Sequence, residues 1–434
     1  MSRPRLVGAL LAGGLLCAPT LFAGCGSDGG PAPSSGAAAL TEAAPVSVAA
    51  RGCPAAALEG LEEVARRIYA ESASGRIVAQ ALWRVRSSSA LAQATEDDDA
   101  AAAHRALEGL LLNQIVSVRV TRDGRTLAVI ERGAGIGPQS GALANARGQT
   151  VGEVTVAVQG ANGYAQTVNG LLHAQVIVRG GGRRPTATLR PPPTVASGAR
   201  ALRYRGGAYR VASFAGAAFP SDPLRSSQPL RVVLLAPEHS IAAICAHGGA
   251  TGAQAQADAL GAVAERVYAA ERAGSKAELL RNYVEGSRPF REAVLAGDAK
   301  ATRAAIVGFF RSHLHIVRVR VLRHGKLLVD VGGHRVLAPI PGVVRDAQGR
   351  VAAHFLLAIQ DDLGLQLLAH TFTGAQVVMR EGARQVMGTL KPSPATIPDR
   401  GRLVYRGVTY QVYSFPAEAF PSGPLRISLL FAVG

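Results

Sequence analysis

"IVRVRVLRHGKLLVDV" occupies residues 316–331, and "IVSVRVTRDGRTLAVI" occupies residues 115–130. In the later stretch Val317, Val319 and Val321 face one way and Arg318 and Arg320 the other, the period of a half-buried strand. "RHGKL" reads as a hairpin turn, and "LLVDVG" returns antiparallel to the first strand. The earlier stretch repeats the same pattern at a spacing of 201 residues.

The repetition extends outward from these hairpins. "AQVIVR" from Ala174 matches "AQVVMR" from Ala375, and "TLRPPP" from Thr188 matches "TLKPSP" from Thr389. "YRGGAYRVASFAGAAFPSDPLR" from Tyr204 matches "YRGVTYQVYSFPAEAFPSGPLR" from Tyr405 at 14 of 22 positions. Upstream, "ARRIY" at Ala65 matches "AERVY" at Ala264, with the offset reduced to 199. A unit of roughly 190 residues can bury its own core. The chain is therefore a duplicated domain, and not a solenoid whose repeats need neighbours. The copies are expected at 52–237 and 243–434, with the boundary near "APEHS".

Each copy keeps one internal order. In the second, Leu260, Val263, Ala264 and Val267 fall at i, i+3, i+4 and i+7 of a long helix. A further helix begins after Asp298, a side chain suited to capping it, and Asp97 holds the matching place in the first copy. Strands follow. "VAAHFLLAIQDDLGLQLLAHTF" reads as two strands around a turn at Asp361–Gly364. "AQVVMREGARQVMGTL" and "GRLVYRGVTYQVYSF" read as hairpins, the latter turning at Arg406–Gly407, and "LRISLLFAV" closes the copy. Helices first and an antiparallel meander afterwards define an α+β fold in two tandem copies.

This layout resembles the Cache class of extracytoplasmic sensor domains, which are PAS-like. The resemblance is clearest over Glu292–Asp362 and weaker over Leu91–Gln159. It implies a central antiparallel sheet, a long helix on one face and a small-molecule pocket on the other. Members of the class signal through a transmembrane helix to a kinase or chemotaxis module. Neither is legible in this sequence, so any signal would pass through a separate partner.

The N-terminus bears on compartment. Arg3 and Arg5 precede an uncharged apolar run from Leu6 to Gly24, the pattern of a secretory signal over 1–24. "LFAGC" resembles the lipobox of bacterial lipoproteins, with Phe22 where leucine is usual. That resemblance implies cleavage before Cys25, lipidation of its thiol (diacylglycerol and palmitate chemistry) and a lipid anchor on the outer face of the cell membrane. The rival reading is an uncleaved membrane span of 19 residues. The Gly-, Pro-, Ser- and Ala-rich stretch 25–51 reads as a flexible tether. Cys53 and Cys245 remain. Outside the cytoplasm they form a disulfide, which would join the two copies, or stand as free thiols.

Composition narrows the partners. The net charge is +17, but lysine occurs only at Lys276, Lys300, Lys326 and Lys391, so arginine carries nearly all of it. The arginines are scattered, with no basic stripe and no RNA-binding motif, which argues against a nucleic-acid partner. No Gly-x-Ser-x-Gly, His-Glu-x-x-His, Walker A or Cys-x-x-Cys pattern occurs, so no enzyme and no cofactor is expected. Seven of ten histidines lie in the second copy: His247, His313, His315, His324, His334, His354 and His370. A lone His-x-His pair is weak grounds for a metal site, and none is assigned. Asp361 and Asp362 are adjacent, and neighbours on a strand point apart.

Residues shared by both copies are the ligand-binding candidates: Arg119 and Arg320, Gln159 and Gln360, Arg205 and Arg406, Tyr209 and Tyr410, Phe214 and Phe415. Arginine with aromatics on one sheet face suits a carboxylate. Against this, aromatics of a meander usually fill a core and strand arginines are usually solvated. The expected function is a lipid-anchored extracytoplasmic binding or sensing module with a small-molecule ligand. The alternative is a structural or interaction lipoprotein holding an envelope protein partner, without a ligand.

Overall fold

The computed structural model describes residues 52–110, 115–180, 183–220, 225, 227–246, 252–313, 315–333, 335–421 and 423–433. The signal segment, Cys25, the tether, His247 and His334 lie outside the described residues.

The described residues form two compact units, one up to Ala246 and one from Gly252 onward. Each is α+β, with most of its helices ahead of antiparallel sheets. Each copy holds two sheets, where the Cache resemblance implied a single central one. In the first copy a small sheet runs in the order Arg125–Glu131, Ser117–Arg122, Thr150–Ala157, Gln139–Ala144. A large sheet is built around the strands Gly207–Ala218 and Gln228–Pro237, flanked by Gln175–Gly180 and Arg183–Ala187. The second copy repeats both orders strand for strand.

The helices divide between the sheets. The long helix Cys53–Ser74 packs on the large sheet, as Gly252–Ala273 does in the second copy. Leu260, Val263, Ala264 and Val267 are all buried, as their spacing requires. Three shorter helices, Arg76–Arg86, Ser89–Glu96 and Ala100–Leu110, cover one face of the small sheet. Val118, Val120, Val154 and Val156 meet Val85, Leu91 and Leu107 there. Each such side chain contributes about 1.5–3 kcal/mol on full burial. In the second copy Val319 and Val321 take the same role, while Val317 turns instead toward Val336 and Phe420.

Some expectations fail for identifiable reasons. "DLGLQLLAHTF" is a helix, Asp362–Thr373, and the first copy has its counterpart at Ala161–Leu172. Leu365, Ala369 and Phe372 are buried at helical spacing, Asp361 caps the N-terminus by accepting from the Gly364 amide, and Gly374 ends the helix at φ 73°. Asp298 does cap its helix, but the first-copy cap is Asp99, which accepts from Ala102, while Asp97 ends the preceding helix. The helices keep the 199-residue offset, which is why Asp99 and not Asp97 corresponds.

Cys53 and Cys245 are bonded, with their Cα atoms 5.9 Å apart. The bond does not join the copies. Cys245 lies on the helix Glu238–Ala246, which packs on the long helix of the first unit with Ile241 buried. The first unit therefore continues past residue 237, the boundary expected from the repeat. No described helix is long and apolar enough to cross a membrane.

Candidate functional site

The face of the first small sheet that points away from its helices carries a polar cleft of about 370 Å³. Strand alternation creates it. Val118 and Val120 point to the helices, so Arg119 and Thr121 point to the opposite side. Arg119 stands across from Thr155, and Thr121 across from Glu153. Arg119 and Thr155 lie at the buried end, 4% and 6% exposed. Asp123, Glu153 and Arg225 are exposed and line the cleft nearer solvent.

The floor is fixed by specific contacts. The Arg119 guanidinium donates from Nη2 to the Pro220 carbonyl and lies 5.3 Å from the centre of the Phe219 ring. Thr155 shares a 2.8 Å hydrogen bond with Ser140 on the neighbouring strand. Arg122, on the helix side, donates to the carbonyls of Thr95 and Glu96, and Arg323 likewise donates to Leu295 in the second copy. These two arginines tie down helix C-termini. A buried guanidinium beside hydroxyls, with charges of both signs at the rim, can orient a small carboxylate.

The second copy presents a different face at the matching strand positions. Arg318 binds Asp330 through two hydrogen bonds of 2.8 Å and also donates to the Gly333 carbonyl. Arg320 lies 3.9 Å from the same carboxylate. Both guanidinia sit over Phe420, at 4.9 and 6.0 Å. Leu322 and Leu356 stand where the first copy has Thr121 and Thr155.

Among the candidates, only Arg119 lines the cleft, and Arg320 holds the matching place. Arg205 and Arg406 occupy hairpin turns at φ 48° and 51°, exposed, over Tyr204 and Tyr405. Tyr209 packs against the cluster of Val195, Val211 and Leu235, and Tyr410 joins Val378, Val412 and Leu430. Phe214 is covered by Tyr69 and Arg66 of the long helix, and Phe415 by Tyr268. Gln159 and Gln360 are buried away from the cleft lining. A Cβ on Gly163 or Gly364 would lie under 3 Å from their amide nitrogens, which explains why this Gln–Gly pair recurs.

The histidines are dispersed. His313 packs on Tyr283 with ring centres 4.0 Å apart, and His370 bonds the Ala375 carbonyl through Nδ1. Burial, helped by Lys276 and His313, holds the His315 pKa below its ordinary value. Among the described residues no group of three or more His, Cys, Asp or Glu side chains could hold a metal ion.

Thr121, Glu153, Thr155, Phe219 and Arg225 were not among the candidates. Alternation in "SVRVTR" already placed Thr121 beside Arg119. Phe219 was legible as part of the repeated "AFPS". Arg225 was concealed, because "PLR" at 223–225 matches "PLR" at 424–426 letter for letter, whereas strand register pairs Arg231 with Ala215 and Arg426 with Pro416. The true counterpart of Arg426 is Arg231.

The fold therefore defines an α+β protein of two tandem units, each with N-terminal helices, two antiparallel sheets and, in the first unit, a polar cleft. No family model matches the chain, and neither does any curated protein. Among solved structures it is similar to the periplasmic domain of Vibrio cholerae LuxQ, at 12% identity and a TM-score of 0.30, over 41% of this chain and 99% of that domain. A selenomethionine structure of the same domain gives 12% identity and a TM-score of 0.26, over 39% and 98%.

Proposed function

We propose that this protein is an extracytoplasmic small-molecule-binding module, anchored by lipid at Cys25, which signals through a separate partner and catalyses no reaction. The cleft over Arg119, Thr121 and Thr155 is the observation that carries the reading. The apolar N-terminal run and the "LFAGC" pattern support export and anchoring. The ligand is a small carboxylate, since the deepest cationic group is a guanidinium held beside a hydroxyl.

Thermal melting of the mature chain with acetate, lactate, succinate, citrate and glutamate tests the binding. A carboxylate at a hundred times its dissociation constant stabilises the protein by about 2.7 kcal/mol. Thr155→Val should reduce that gain and keep the fold. No shift with any of the five overturns the carboxylate reading. Incorporation of labelled palmitate, lost in Cys25→Ser, tests the anchor.

A structural or envelope-interaction role is the second reading. It is favoured by the scaffold placement of most residues the copies share, and a protein partner recovered without any ligand shift would select it.

A further inference from the structure

We infer that the outer face of the helix Arg76–Arg86, built around Trp83, docks on an anionic lipid bilayer. The choice of occupant rests on the anchor reading of Cys25. The face goes beyond that reading, because it binds lipid whether or not the thiol is acylated.

The helix has two unlike sides. Val78, Ala81 and Val85 are buried. Trp83 points away from them and is 70% exposed, more than any other large hydrophobic side chain among the described residues. Arg76 lies about two turns before it and Arg86 about one turn after, both exposed, and Arg84 flanks it. The helix holds three arginines and no acid. Arg86 donates to the Ala142 carbonyl, a neutral partner that leaves its charge uncompensated. Arg76 and Arg84 make no ion pair among the described residues. Acids elsewhere in the helical layer are engaged: Asp97 accepts from Gln93, Asp98 pairs with Arg125 and Asp99 caps its own helix.

Tryptophan in a basic, acid-free setting matches the chemistry of a membrane surface. The indole sits at the level of the headgroups, apolar body inward and N–H toward water, and arginines meet the lipid phosphates. Each basic side chain near an anionic bilayer strengthens binding about fivefold.

The second copy shows that the fold does not require this face. At the helical offset of 199, Val78, Ala81 and Val85 correspond to Ala277, Leu280 and Val284, which are also buried. On the outside, Trp83 corresponds to Asn282, Arg76 to Ser275, Ala79 to Glu278 and Arg86 to Glu285. The inner side is shared, and the outer side is basic and aromatic only in the unit that adjoins the anchor.

Chain length permits the contact. Between Cys25 and Cys53 lie 27 residues, which span up to about 90 Å. The helix Cys53–Ser74 covers about 33 Å from there toward Arg76. Attachment to the same bilayer also makes weak docking sufficient, since a short link supplies an effective concentration in the millimolar range.

The chain from residue 26 onward lacks Cys25 but holds every described residue, so it tests the face without the anchor. Trp83 is the only tryptophan of the sequence, and its fluorescence therefore reports on this face alone. Vesicles of phosphatidylglycerol and phosphatidylcholine in equal parts should shift its emission to the blue and cut acrylamide quenching about twofold or more. Pure phosphatidylcholine should do neither, and about 1 M salt should abolish the effect. In vesicle flotation, Trp83→Ala should weaken binding about fivefold or more. Arg76→Gln combined with Arg84→Gln should weaken it about tenfold or more. Arg402→Gln with Arg406→Gln removes the same charge from an exposed hairpin of the second unit and should stay within about twofold of the parent. Urea midpoints equal to the parent's confirm that each variant is folded. Flotation with unchanged Trp83 emission overturns the proposal, and so do equal losses in the two arginine pairs, since overall charge would then account for binding. A blue shift that grows with protein concentration in the absence of vesicles overturns it too and assigns the face to a second copy. Failure of palmitate labelling at Cys25 overturns the anchor and leaves these measurements unaffected.

Discussion

Tyr69 and Ala217 exchange two hydrogen bonds: the phenol donates to the Ala217 carbonyl at 3.1 Å and accepts from its amide at 2.6 Å. Tyr268 does the same with Glu418 in the second copy, accepting at 2.8 Å and donating at 3.5 Å. One hydroxyl thus pins the long helix to the long strand of each large sheet. Burial raises the pKa of both phenols, so they stay protonated and keep both roles. This is why "ARRIY" and "AERVY" both end in tyrosine. Tyr69→Phe leaves a strand amide without its acceptor, at a cost of about 1–3 kcal/mol. Urea unfolding should show that loss, and hydrogen exchange at the Ala217 amide should quicken. Unchanged exchange there would refute the pinning role.

The copies also differ in a way that makes a second prediction. A Cβ on Gly261 would lie 2.1 Å from the Tyr413 ring. That ring cannot easily retreat, because its hydroxyl donates to Glu265 at 2.5 Å and Arg400 stacks on it at 3.4 Å. Alanine is the better helix former by about 1 kcal/mol. Even so, Gly261→Ala should destabilise the second unit by about 1–3 kcal/mol through overpacking. In a Tyr413→Ala background the same change should cost nothing or stabilise. Equal costs in the two backgrounds would show that the ring is not the obstacle.

What the sequence disclosed follows its local periodicities. Alternation in residues 316–331 disclosed the hairpin and the helix-facing Val319 and Val321, though not the turn of Val317 toward Phe420, and the offset of 201 disclosed the duplication. The split into two sheets was not legible, because it depends on which distant strands pair. Nothing local says that Ser117–Arg122 joins Thr150–Ala157 while Gly207–Ala218 joins Gln228–Pro237. The helix Asp362–Thr373 was misread because a short apolar run fits a buried strand as well as a buried helix. At the cleft, Arg119 was found because it recurs. Thr155 and Arg225 were missed because they do not recur, and divergence between copies is what marks the cleft.

The disulfide supports a third prediction. It closes a loop with a sequence separation of 192 inside the first unit. Cross-links of this kind constrain the unfolded chain, and removing one typically costs about 2–5 kcal/mol. Cys245→Ser, paired with Cys53→Ser to leave no lone thiol, should lower the midpoint of the first unit and leave that of the second unchanged. Equal shifts in both transitions would contradict its confinement to the first unit.

Glu271 gives the pH dependence its sign. It lies near the end of the second long helix, 3% exposed, with no hydrogen-bond partner for Oε2 among the described residues. Burial holds its carboxyl above the ordinary value, and the charge of Lys276 offsets this only in part. The folded chain therefore keeps a proton that the unfolded chain releases. Between the ordinary carboxylate value and the raised one, stability falls as pH rises, and above the raised value the loss is complete. The matching first-copy residue is Ser72, which bonds the Ile68 carbonyl and carries no such penalty. Glu271→Gln keeps the shape without the charge. It should match the parent below the ordinary carboxylate value and exceed it in stability at neutral pH. Urea unfolding of the second unit across that range would show the two curves separating as pH rises. Curves that stay parallel would place the ionised carboxylate in contact with solvent.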